Sequence, residues 1–228
     1  MDPITVLSDR AEVRVNGFVR SVYNWMCIGL GLTGFIAYYI KDFNFIANKG
    51  IFIILVIAVI ALPLSISGMI NRMSAATATG LFVLYSALMG AMLSPIFKIY
   101  TGTSIGTTFF ICSATFLGCS VYGWATKRDL TSLGGFCMMG LIGILIASLV
   151  NIFIGSNATS MIISYIGVIV FVGLTAYDTQ KLKNMALSQP AGLDGDVTRK
   201  GAILGALSLY LDFINLFLML LRIFGQRR

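Results

Sequence analysis

Two aspartates stand where a membrane helix excludes charge. Asp178 lies in GLTAYDTQKLK (Gly173–Lys183) and Asp212 in LGALSLYLDFINLFLMLLRIFG (Leu204–Gly225), each inside an otherwise apolar run. An ionisable group in the bilayer costs on the order of 2.5–3.5 kcal/mol on insertion scales, so it usually faces the bundle interior and marks an ion pathway or a proton relay. Two carboxylates held close cannot both ionise cheaply, and they titrate as a pair that shares a proton. The chain has no histidine, the side chain that ordinarily titrates near neutral pH.

Each aspartate has its own setting. Asp178 stands three residues before Lys181, which also suits a hydrated position at the interfacial end of its helix. Asp212 is mid-span and belongs to a stripe, Gly201, Gly205, Ser208, Asp212 and Asn215, with the spacing of one helix face. That small, polar face on a helix otherwise built of Leu, Ile and Phe is expected to point inward, with Ser208 and Asn215 supporting the carboxylate. Arg72, in SGMINRMS, ends the second run on the side of the membrane to which the sixth descends, so an Arg72–Asp178 ion pair is expected. With a rise of about 1.5 Å per residue, Asp212 is expected roughly 10–15 Å deeper than Asp178. The two meet only if the sixth helix continues past Lys181 or the seventh begins with a re-entrant segment.

The elements that must position these residues are membrane spans. Of the 228 residues 57% are hydrophobic and 11% charged, with a mean hydropathy of +0.90, and a run of about 20 apolar residues crosses a bilayer core. Seven such runs fall near 21–40, 51–70, 80–97, 107–126, 134–153, 160–180 and 201–221, joined by short connections. They predict an all-α integral membrane protein in which residues 21–228 form one helical bundle behind an N-terminal segment, 1–20. That segment carries Arg10, Arg14 and Arg20, too long and too charged for the n-region of a cleaved signal peptide. It and the second, fourth and sixth connections hold ten Lys and Arg against six on the other side, which places the N-terminus in the cytoplasm. The basic tail LRIFGQRR then falls on the opposite side, against the same rule. The net charge of +7 fits loops near anionic lipid, and no basic, aromatic face is long enough for nucleic acid.

Other motifs are read as packing. GLGLTG (Gly29–Gly34) has dinucleotide-fingerprint spacing but lies within an apolar helix, without the preceding strand that chemistry needs. Ser86, Gly90 and Ser94 recur every four residues, as small residues do where membrane helices approach closely. Cys27, Cys112, Cys119 and Cys137 all fall inside spans, which argues against a disulfide framework or a zinc site. Pro63 and Pro95 mark kinks or span ends. The remaining acidic residues, Asp2, Asp9, Glu12, Asp42, Asp129, Asp194 and Asp196, lie in termini or loops.

AYDTQ within one span and LDF within the next, with VYNWMCIGLGLTG near the N-terminus, resemble the Bax inhibitor-1 family, also called the transmembrane Bax inhibitor motif family, in its bacterial branch. The likeness covers nearly the whole chain. It implies seven transmembrane helices with six surrounding a central seventh, a pH-sensitive calcium leak, and a bacterial inner-membrane location. It also implies that Asp178 and Asp212 form the pH-sensing pair, with Arg72 bonded to it as a latch, and that the two carboxylates, too few for the roughly six to eight oxygens calcium takes, make a weak, transient calcium site along the leak path. A central seventh helix would account for the inward stripe. The second span here has no acidic residue, whereas some family members place one near the pore.

Three other functions share features with this sequence. Intramembrane aspartyl proteases pair a Tyr–Asp on the sixth span with an aspartate on the seventh. They carry G-x-G-D and P-A-L motifs, whereas this chain reads LYLDF, and its Pro-Ala pair, in QPAG at 189–192, precedes the seventh span. A non-conducting regulator that binds other membrane proteins, membrane proteases included, is a second alternative. A proton-coupled transporter is a third, without an inverted repeat to support it. The expectation is a channel without enzymatic activity and without a cofactor, with calcium as permeant ion and the lipid bilayer and other membrane proteins as partners.

Overall fold

The computed structural model describes residues 3–43, 49–188 and 195–228, with side chains at residue 13 and from residue 15 onward within those ranges. Asp2, Asp194 and the 189–192 QPAG lie outside the described residues, as do the side chains of Asp9, Arg10, Glu12 and Arg14. Seven long helices appear among the described residues: α1 (Pro3–Tyr39), α2 (Lys49–Met69), α3 (Ala75–Leu93), α5 (Gly102–Ala125), α6 (Thr131–Ile154), α7 (Asn157–Ser188) and α8 (Gly195–Phe224). A 3-10 turn, Ile70–Arg72, follows α2, and a single turn, α4 (Ile96–Ile99), follows α3.

Six of these helices, α2, α3 with its α4 extension, α5, α6, α7 and α8, are long and apolar enough to cross a membrane. The sequence predicts seven, and α1 is the difference. Its first half is polar, and its second half is diluted by Tyr23, Asn24, Trp25, Thr33, Tyr38 and Tyr39. The boundaries also lengthen: α1 begins at Pro3, where proline's fixed φ suits the first turn, and α7 runs on past Lys181 to Ser188. Pro95 breaks α3 from α4, whereas α2 continues through Pro63. Burial separates α8 from the rest: 67% of its apolar window is buried, against 11% in α2 and α6.

The chain divides into two compact units, one of Met1–Ile99 with Leu182–Tyr210, the other of Tyr100–Lys181 with Leu211–Arg228. In the first, small residues admit close contacts between α1 and α3. A Cβ on Gly29 would meet Phe82 at 2.7 Å, and one on Gly90 would meet the Thr33 carbonyl oxygen at 2.7 Å. Ser86, Gly90 and Ser94 are all buried, and Gly29 is the member of GLGLTG that packs, while Gly31 and Gly34 face open space. Tyr210 of α8 joins this contact through a 2.7 Å hydrogen bond to Thr33 Oγ1, which donates in turn to the Ser86 carbonyl at 2.8 Å. The rings of Phe82 and Tyr85 meet Tyr210 edge-on. At the helix ends, Asp196 Oδ1 accepts from the first backbone N–H of α3.

In the second unit, Phe109 and Phe116 of α5 pack edge-on against Phe213 of α8, and Cys112 Sγ donates to the Phe213 carbonyl at 3.7 Å. A left-handed Gly155 (φ +68°) closes α6, a backbone conformation that favours glycine. The tail is tied to the start of α5, since Thr101 N–H donates to the Gln226 carbonyl at 3.1 Å and Ser104 Oγ accepts from Gln226 N–H.

Candidate functional site

The α7 segment around Asp178 is held from three directions within the second unit. Gly123 of α5 abuts the Ala176 carbonyl, and Gly134 of α6 lies against the Tyr177 ring, where a Cβ would come within 2.5 Å. Gly173 accommodates Cys137 Sγ. Gln180 clamps the connection between α5 and α6: its Oε1 accepts from Leu130 N–H and its Nε2 donates to the Arg128 carbonyl, both at 2.8 Å. Thr175 and Thr179 hydroxyls turn back onto the carbonyls of Phe171 and Thr175. Consecutive residues of AYDTQ therefore serve different neighbours.

In the second unit Gly167 of α7 lies against Met219 of α8, and in the first unit Leu182 of α7 lies against Gly205 of α8. Asp212 lies within electrostatic reach of Asp178. Of the two conditions under which the aspartates meet, the continuation of α7 past Lys181 is present.

The surroundings of the two carboxylates differ. Asp178 is half-buried with Lys181 in electrostatic reach. Asp212 is 6% exposed, and its Oδ2 has no hydrogen-bond partner among the described residues. Cys137 lies within electrostatic reach of Asp212. Among the described residues no three His, Cys, Asp or Glu side chains gather as a metal-binding group.

The polar stripe on α8 is split. Gly205 and Asp212 are buried, whereas Gly201, Ser208 and Asn215 are half-buried, and Asn215 Nδ2 closes onto the Leu211 carbonyl of its own helix at 2.8 Å. Burial on α8 is not confined to that face, since Ile203, Ala206, Leu209, Tyr210 and Leu216 are fully buried too. Arg72 is exposed at the end of its 3-10 turn and belongs to the first unit. Sequence reasoning did not single out Gln180, and it read Cys137 only as one of four cysteines inside spans. Gln180 carried a signal, being the amide of AYDTQ one residue before the first lysine beyond the apolar run, but its partners are backbone groups some 50 residues away, which no local pattern reveals.

Comparison with known proteins agrees with the motif. The family model described as "Inhibitor of apoptosis-promoting Bax1" matches residues 15–228. The chain is 52% identical to Inner membrane protein YbhL of Escherichia coli K12, over 98% of this chain and 97% of that protein. It is 46% identical to protein RP147 of Rickettsia prowazekii, over 92% and 90% of the two chains, and 44% identical to a Borreliella burgdorferi protein, over 99% of each. With the aspartate-bearing helices, the glycine contacts and the match over nearly its full length, the chain belongs to the Bax inhibitor-1 family.

Proposed function

We propose that the chain is a pH-sensitive calcium leak channel of the bacterial inner membrane, gated by Asp178 and Asp212 and latched by Arg72. The observation that carries this reading is the placement of two carboxylates within electrostatic reach on adjacent apolar helices, one of them with a buried oxygen left unbonded. Such a pair titrates in two steps that belong to the pair, and each change alters the attraction for a cation and for a nearby guanidinium. In one charge state the pair holds Arg72; in the other the latch is released and the path between the helices changes. Calcium would meet hard oxygen ligands at Asp178 and Asp212, too few to trap it and enough to favour its passage.

The proposal includes a seventh span, supplied by the second half of α1, with α8 at the centre of the bundle, a place that its burial favours. It puts the N-terminus in the cytoplasm on the strength of the Lys and Arg distribution, and the inner membrane on the similarity to YbhL. It assigns the protein no enzymatic activity and no cofactor, only lipid, calcium and other membrane proteins as partners. The deciding experiment is calcium flux into liposomes that contain the purified protein, over a pH series, for wild type and Asp178→Asn. Flux that varies with pH, and loses that variation in the variant, is the expected result. Liposomes that remain tight to calcium at every pH would overturn the leak.

A further inference from the structure

Among the described residues, two buried side-chain oxygens lack a hydrogen-bond partner within the protein, Ser120 Oγ and Asp212 Oδ2. Their residues are 5% and 6% exposed, and both belong to the second unit. A buried hydroxyl or carboxylate oxygen is costly without a partner, so an orphan of this kind points to bound water or an ion.

Two contacts of α5 flank Ser120. Phe116, one turn before Ser120, packs on Phe213, the residue after Asp212. Gly123, about one turn after Ser120, abuts the carbonyl of Ala176, two residues before Asp178. Ser120 is therefore bracketed by a contact to α8 beside Asp212 and a contact to α7 beside Asp178. Its hydroxyl also behaves unlike its neighbours: Ser113 and Thr115 of the same helix donate back to the carbonyls of Phe109 and Ile111 at 2.8 and 2.9 Å, whereas Ser120 makes no such bond.

We propose that Ser120 is a third polar group of the aspartate site and that one internal water bridges Ser120 Oγ and Asp212 Oδ2. The inference rests on the reading of Asp178 and Asp212 as the working site and deepens it. The serine hydroxyl donates to the water oxygen, and the water donates to the carboxylate, a charge-assisted bond of the kind that orders water strongly. When Asp212 carries a proton the same water accepts from it, so one molecule serves both charge states. It also gives Asp212 a partner through which a proton can arrive.

The test is a set of crystal structures grown in lipid at a resolution that orders water, for wild type, Ser120→Ala and Ser113→Ala. A water peak within hydrogen-bond distance of both oxygens in the wild type, kept in Ser113→Ala and lost in Ser120→Ala, is expected. No peak in the wild type, or a peak that survives Ser120→Ala unchanged, overturns the proposal. So does a calcium ion in that position, recognised by its anomalous signal. Should Ser120→Ala fail to fold, infrared spectra of the wild type and Asp212→Asn in ordinary and oxygen-18 water provide the second measurement. An internal water band that shifts with the isotope and changes in Asp212→Asn supports the bridge, and the absence of such a band overturns it. Neither measurement depends on conduction, so a leak that fails in liposomes and a water that fails in the map are separate outcomes.

Discussion

Gln180 Oε1 accepts a 2.8 Å hydrogen bond from the backbone N–H of Leu130, and the same amide donates to the Arg128 carbonyl at 2.8 Å. A side chain two residues from Asp178 thereby substitutes for the backbone partners that the turn between α5 and α6 lacks. Replacement by alanine removes the partner of the buried Leu130 N–H and of the more exposed Arg128 carbonyl, so Gln180→Ala should lose about 1–3 kcal/mol of stability. Gln180→Glu keeps the acceptor but sets a carboxylate oxygen against the Arg128 carbonyl, and should recover only part of the loss. Unfolding in detergent by denaturant measures both; equal stability of all three proteins would remove the clamp from the account.

Gly123 and Gly118 lie on the same helix with opposite surroundings. A Cβ at Gly123 would collide with the Ala176 carbonyl, which is backbone and cannot swing aside, whereas a Cβ at Gly118 meets nothing within 4 Å. Gly123→Ala should cost about 1–3 kcal/mol or more by forcing α5 and α7 apart. Gly118→Ala should be neutral or stabilising by up to about 1 kcal/mol, as expected for glycine replaced inside a helix. Paired unfolding curves decide, and a reversed order would contradict the close crossing.

Asp212→Asn keeps the shape of the buried side chain and removes its charge. If the aspartates sense pH, this variant should flatten the pH profile of calcium flux while it folds and inserts as the wild type does. Ser208→Ala and Asn215→Ala are expected to change flux less than twofold, since both residues are half-buried and Asn215 is bonded to its own helix. A full pH profile in Asp212→Asn would remove the carboxylate from the sensor.

Outside the spans, Asp129 provides a titration with a definite sign. The Thr131 hydroxyl and then its backbone N–H donate to Asp129 Oδ1 at 2.6 and 2.9 Å, and they hold the carboxyl below the usual carboxylate range. The folded chain therefore binds this proton less readily than the unfolded chain. The resulting stabilisation is present above the ordinary aspartate value and is lost as pH falls through the folded one. Thr131→Val removes the hydroxyl donor and should move the Asp129 titration upward, as followed by NMR of the labelled carboxyl; an unmoved titration would show that the hydroxyl contributes nothing.

The amino-acid sequence alone determined the helical, membrane-spanning character, because apolar runs of about 20 residues have few other stable forms. It also isolated Asp178 and Asp212, since charge within such runs is conspicuous, and it marked Pro63 and Pro95 alike as kinks or span ends, of which Pro95 alone separates two helices. Local pattern could not determine where helices stop. The polar extension of α7 to Ser188 is continuous with its apolar part, so nothing local marks Lys181 as an end. Nor could it show which small residues touch: Gly29 and Gly31 look alike in GLGLTG, but only Gly29 meets a neighbour. The Gln180 clamp, the bracketing of Ser120 and the unbonded Asp212 Oδ2 were decided by tertiary structure, because each depends on groups far apart in the chain that only helix packing brings together.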